Sequence, residues 1–150
     1  MCAIKSPDSF QVRPARNEDW LDIENLLSNA PRQYMAMEWW TVREWLGSPN
    51  LVTAVDAEAK IAGLVLTVLE ESPIVWLRVV SAMTQRCLPP LIAASIRNAR
   101  TQGSTGLAFL GDQHWIVAYL EQAGFQRVNQ VVTLRQRGSW EMHPGAAGLY

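Results

Sequence analysis

Several kinds of specialised chemistry have no foothold in this sequence. Its two cysteines, Cys2 and Cys87, lie far apart with no CxxC spacing and no nearby histidine pattern. That rules out a disulfide framework and a zinc site as readings, so no metal is expected and both are read as free thiols. Lysine plus arginine number 13 against 14 acidic residues, for a net charge of -1, and neither sign forms a run. The electrostatic footprint of a nucleic-acid binder is therefore missing, and no nucleic-acid partner is expected. No apolar stretch approaches the roughly 20 residues that span a bilayer. The start, "MCAIKSPDSF", has no apolar signal core, so membrane insertion and secretion are not expected and a cytoplasmic location follows.

What is present suits a folded domain. Hydrophobic residues make up 49% of 150, enough for a single core and one domain over 1–150, with residues 1–9 as an N-terminal extension and 138–150 as an irregular tail. "FQVRP", Phe10 to Pro14, reads as a short strand. Asn17 is placed to cap a helix, with Glu18 and Asp19 in its first turn and Trp20, Ile23 and Leu27 on one face. Asn29 to Pro31 looks like a second cap. Met35, Trp39, Val42 and Leu46 then share a helical stripe that Gly47, Ser48 and Pro49 stop.

From Leu51 the period changes. "LVTAV", "IAGLVLTVL" and "IVWLRVV" are rich in β-branched residues and are separated by the turn-like "DAEAK" and "EESP", which predicts three consecutive antiparallel strands. Ile92, Ile96 and Ala99 predict a helix ending near Gly103, and Gly106 to Gly111 a compact strand. Asp112 is placed to cap a last helix carrying Ile116, Leu120 and Ala123, closed by Gly124. "VVTLRQR" is expected to complete the sheet.

The connector Met83 to Pro90 joins a strand to a helix. Such junctions bind anions, because the first amides of the helix are unpaired and its dipole favours negative charge. Here Pro89 and Pro90 bring no N–H, and Leu91 can obstruct approach to the backbone. Proline in a first turn costs little, however, and the amides of Arg86, Cys87 and Leu88 are left as donors.

The order of elements, with "VRPARNEDWLDIENLL" near the start and "WIVAYLEQAGFQRV" near the end, resembles the GNAT superfamily of acyl-CoA-dependent N-acyltransferases over about Phe10 to Arg137. The resemblance implies an α/β fold with a mixed, largely antiparallel sheet of about six or seven strands and four helices. In that family the strand matching Ile74 to Ser81 runs into a Q/R-x-x-G-x-G/A loop whose amides bind the pyrophosphate of CoA. This chain has "RCLPPL" instead, a degenerate form. The resemblance implies acetyl-CoA as donor, with Val79, Val80 and Ser81 pairing by backbone with its pantetheine arm. It also sets Arg86, Cys87 and Leu88 at the diphosphate and Gln113 near the cofactor. The family's acid, a tyrosine five residues before the Gly-Phe phenylalanine (here Phe125), would fall on Leu120. Tyr119, one residue earlier and about 100° round the helix, is the candidate in its place. The glutamate base that some members carry on the strand has no counterpart in Ile74 to Ser81; Glu70 and Glu71 sit in the turn before it.

Each of these residues also has a plainer reading. Pro89-Pro90 is a rigid helix start or a modified anion site, and Arg86 an exposed base or a phosphate contact. Cys87 is a small buried hydrophobe or a nucleophile. Tyr119 is a wall residue or a proton donor, and His114 a surface residue or a base. Glu70-Glu71 is a solvated turn or acts on protons through water. The sequence has 7 tryptophans. Of those on the second helix, Trp39 fits its core face, while Trp40 and Trp45 are left to line an acceptor pocket, to pack under the tail or to bury in a homodimer. Two functions follow: CoA-dependent N-acetyl transfer to an amine of a small molecule or peptide, or a binding or structural module that kept the fold and lost the chemistry.

Overall fold

The computed structural model describes residues 9–70 and 73–128. Its centre is a sheet in the order β1-β3-β4-β5-β2, with β6 also paired to β5. The strands are β1 (Gln11–Pro14), β2 (Arg32–Met35), β3 (Leu51–Val55), β4 (Ile61–Leu69), β5 (Ile74–Ala82) and β6 (Gly106–Ala108). All pairings are antiparallel except β5 with β6. The α-helices are α1 (Trp20–Asn29), α2 (Leu88–Thr101) and α3 (His114–Gln122); a 3-10 helix, Trp39–Trp45, is the fourth helical element of length. The architecture is thus the mixed, largely antiparallel α/β fold expected.

The two faces of the sheet carry separate cores. On one, Ile23, Leu26 and Leu27 of α1 pack with Leu64, Leu66 and Val79. On the other, Leu88, Leu91 and Ile92 of α2 and Ile116 and Leu120 of α3 pack with Val65, Leu77 and Val80. β4 lies in the middle and buries its first seven residues, which explains its unbroken apolar run. The 3-10 turn before α2 and the first turn of α2 pack on Gly63 through Cys87 and Leu91. A Cβ there would stand 2.6 Å from Cys87 Sγ and 3.1 Å from the Ser81 carbonyl oxygen, so this contact requires glycine.

The start of α1 is fixed by charge. The Asp19 carboxylate accepts from both guanidinium nitrogens of Arg13 (2.6 and 3.0 Å) and from the Arg16 N–H (2.7 Å). Arg16 is therefore the residue before the first helical turn, and Asn17 lies inside a short 3-10 turn instead of capping it. At α3, Gln113 precedes the helix and no side chain caps it, so Asp112 does not play that part.

One larger expectation fails. The second helix is not α-helical: its first part is strand β2 and its second the 3-10 helix. Pro31 explains the break, since the residue before proline is driven out of the helical region, and Ala30 is extended at φ -62, ψ 133. The strand predicted for Gly106 to Gly111 is shorter, ending at Ala108. The strand expected at 131–137, the tail 138–150 and residues 1–8 lie outside the described residues.

Candidate functional site

The register between β4 and β5 steps from Leu66↔Val79 to Thr67↔Leu77, leaving Arg78 as an extra residue on β5. This bulge bends the strand and divides its outer edge. Before it, Ile74 to Trp76 pair with β6; beyond it, Val79 to Ala82 pair with β2, Met35 opposite Val79 and Arg32 opposite Ala82. The Ala36 N–H extends the ladder to the Arg78 carbonyl at 2.8 Å.

This placement bears on the residues expected to pair by backbone with a pantetheine arm: along Val79, Val80 and Ser81, β4 covers one edge and β2 the other, beyond the point where β6 leaves β5. Three further contacts hold β2 in place. Gln33 Nε2 donates to the Leu27 carbonyl (2.6 Å) at the end of α1, where helix carbonyls lack partners. The Tyr34 hydroxyl donates to the Leu110 carbonyl (2.5 Å), just past β6. The Tyr34 ring, 7% exposed, also packs on Phe109 with centroids 4.5 Å apart. Tyr34 thus fills the gap between the diverging strands. A Cβ on Gly111 would meet both rings, at 2.6 and 3.0 Å.

The turn expected to meet a diphosphate is bonded within itself, by long contacts of 3.4 Å at Arg86 and Cys87. Thr84 caps a 3-10 turn, Gln85–Cys87, that leads into α2. The Arg86 N–H donates to Thr84 Oγ1, the Cys87 N–H to the Thr84 carbonyl and the Leu88 N–H to the Gln85 carbonyl. All three amides expected to meet a diphosphate thus have internal partners, and Pro89 and Pro90 supply none. Leu91 is fully buried beside Gly63, so it packs in the core and does not screen the loop. Arg86 is exposed. Cys87 is buried, its thiol 3.0 Å from the Thr84 carbonyl, and burial pushes its pKa up to about 11. It behaves as a small core residue and not as a nucleophile.

The remaining candidates are scattered. Leu120, at the family's acid position, is buried. Tyr119 packs against the α2–α3 core, its pKa raised by burial and by the nearby Cys87. The Gln113 side-chain oxygen accepts from Trp115 Nε1 at 3.1 Å, and His114 is exposed. Trp39 and Trp40 are 44% and 54% exposed and meet edge to face, whereas Trp45 packs against the α1-side core. Trp45 so takes a core place not expected of it, because 3-10 winding advances about 120° per residue and sets Trp45 in line with buried Val42, three residues earlier. Trp40 and Trp45 meet different surroundings and do not form one wall. Glu70 pairs with Arg78, whose guanidinium also lies 5.9 Å from the Trp76 ring centroid; Glu71 lies outside the described residues. An open cavity of about 400 Å³ lies away from the notch, between Arg13 to Glu18 and Gly47. Among the described residues no cluster of three metal-ligating side chains occurs, and no helix is long and apolar enough to cross a membrane.

The residues that define the site are therefore Gln33, Tyr34, Arg78 and Gly111, none of which the sequence singled out. The one available signal was Pro31, which argues against a helix through "RQYM".

No protein-family model matches the sequence, and none of the curated proteins does. Solved structures do match in shape. A Thermus thermophilus protein is 20% identical, with 86% of this chain and 98% of that one aligned at a TM-score of 0.64. Aminoglycoside N-acetyltransferase AAC(6′)-Iy, in complex with CoA, is 17% identical, with 91% and 100% aligned at 0.66. A Bacillus halodurans structure described as a transcriptional regulator is 15% identical, with 85% and 100% aligned at 0.64. The architecture, the bulged fifth strand and these likenesses lead to one conclusion: the chain has the fold of the GNAT N-acyltransferases.

Proposed function

We propose that this chain is a binding or structural module built on the GNAT fold, with its acetyl-CoA cleft closed and acyl transfer lost. One observation carries the reading: the backbone of Val79 to Ala82, where a pantetheine arm would pair, is already paired on both edges by β4 and β2. The internally bonded amides of residues 86 to 88 support it, and so does the burial of Leu120 where an acid would stand. Fold does not fix activity. Isothermal titration with acetyl-CoA to about 1 mM is expected to give no saturable heat; a micromolar Kd, or about −8 kcal/mol, would overturn the reading.

A second reading is CoA-dependent N-acetyl transfer to an amine of a small molecule or peptide. It is supported by the likeness in shape to an aminoglycoside N-acetyltransferase in complex with CoA and by Tyr119 on α3, whose phenol can donate a proton. Release of free CoA thiol in the presence of acetyl-CoA and an aminoglycoside such as sisomicin, abolished by Tyr119→Phe, would favour this reading over the first.

A further inference from the structure

The helices on the two faces of the sheet carry opposite charge. Between Asn17 and Asn29, on the α1 side, every charged side chain is acidic: Glu18, Asp19, Asp22 and Glu24. Between Gln85 and Thr101, on the α2 side, every one is basic: Arg86, Arg97 and Arg100. Among the described residues, Asp22, Glu24, Arg97 and Arg100 form no ion pair. The charges of opposite sign nearby are engaged or set apart. Arg13 is held by Asp19, Arg43 lies over the Trp20 ring, Arg16 precedes the first turn, and Glu121 pairs with Arg127. Each helix also carries an apolar spot on its outer side. Leu21 is 72% exposed, and at 3.6 residues per turn it lies between Glu24 and Asp22. On α2 the exposed Pro89 and Ala93 lead on to the exposed Arg97 and Arg100.

We infer that α1 of one copy docks on α2 of a second copy, with Leu21 on residues 89–93 and Asp22 and Glu24 against Arg97 and Arg100. The occupant is a second copy because one chain carries both halves of a complementary pair. The sheet stands between those halves, so they cannot meet within one molecule. They differ from each other, which makes the contact heterologous. Each added copy leaves a free α1 at one end and a free α2 at the other, so growth does not stop at two. Exposed ion pairs are individually weak and are screened by salt, so the assembly is reversible and salt-sensitive. The contact does not depend on whether the cleft accepts acetyl-CoA.

Sedimentation velocity on the full chain, at concentrations up to about 1 mM, tests the contact. In about 20 mM salt the weight-average mass is expected to rise past that of a dimer, and in about 500 mM salt to fall to that of a monomer. Leu21→Asn keeps every charge and is expected to weaken association at least tenfold through lost apolar burial. Arg97→Glu/Arg100→Glu and Asp22→Lys/Glu24→Lys each give the two faces one sign. Each is expected to be monomeric alone and to associate when the two are mixed. None of these side chains is buried, and a cooperative thermal transition checks that each variant folds. A wild-type chain that stays monomeric in low salt overturns the contact, and so does a mass that stops at a dimer. Association that Leu21→Asn or either charge reversal leaves unchanged also overturns it, as does a mixture of the reversed variants that stays monomeric. The wild-type salt series decides even where a variant fails to fold.

Discussion

Tyr34 carries the seam between the diverging strands, and its replacement measures what that seam contributes. Tyr34→Phe removes one hydroxyl bond, to the Leu110 carbonyl, and leaves the ring on Phe109. A neutral hydrogen bond contributes about 0.5–1.5 kcal/mol net, so a loss of about 1 kcal/mol is expected. For a chain of 150 residues that corresponds to a Tm lower by about 2–4 °C. Tyr34→Ala also empties a buried aromatic site, which costs about 3–5 kcal/mol. It further forfeits the aromatic pair, worth about 0.5–1.5 kcal/mol. Urea denaturation of both variants, with the midpoint and slope read separately, checks these values. A Tyr34→Ala loss below about 1 kcal/mol would refute the buried placement, because no reorganisation of a filled seam is that cheap.

Asp19 makes stability depend on acid. Its hydrogen bonds from Arg13, opposed by burial and joined by the Arg16 N–H, hold its pKa below the ordinary 3.8. Its contribution is thus complete above the unfolded value and is lost as pH falls through the lowered folded one. Asp19→Asn is expected to cost about 1–3 kcal/mol at pH 7, with the gap from wild type closing below about pH 4; a gap constant with pH would contradict the assignment. Gly63→Ala places a methyl 2.6 Å from Cys87 Sγ and is expected to destabilise by about 1–3 kcal/mol. Adding Cys87→Ala is expected to recover part of that loss in a double-mutant cycle. In a Cys2→Ser background, the buried Cys87, with its pKa near 11, is expected to resist a thiol reagent at pH 8 until urea unfolds the chain. Rapid native labelling would contradict its burial.

Hydrophobic period made the core strands and three of the helices readable. "IAGLVLTVL" is a continuous apolar run because β4 is covered on both faces, and α1 and α2 each show one buried stripe. The site was less legible. Residues 29–46 carry a helical stripe on paper, yet Pro31 ends α1, and "RQYM" finds an open strand edge at the Arg78 bulge. Nothing local announces that edge, because the bulge is a property of the β4–β5 register and not of any short motif. The altered loop was visible as "RCLPPL", and its prolines do begin α2. What the letters did not carry was that Thr84 and Gln85 accept from the neighbouring amides, or that Leu91 turns inward onto Gly63.

The most direct measurement is an NMR survey of Hα–Hα contacts across the β2–β5 boundary. The Ala36 to Arg78 bond makes Met35↔Val79, and with it Gln33↔Ser81, the closely spaced unbonded pairs of an antiparallel ladder, with Cα atoms about 4.5 Å apart. Strong cross-peaks for both pairs are the predicted result. Their absence, with i to i+3 contacts running through residues 32–45 as in a continuous helix, would contradict the closed cleft.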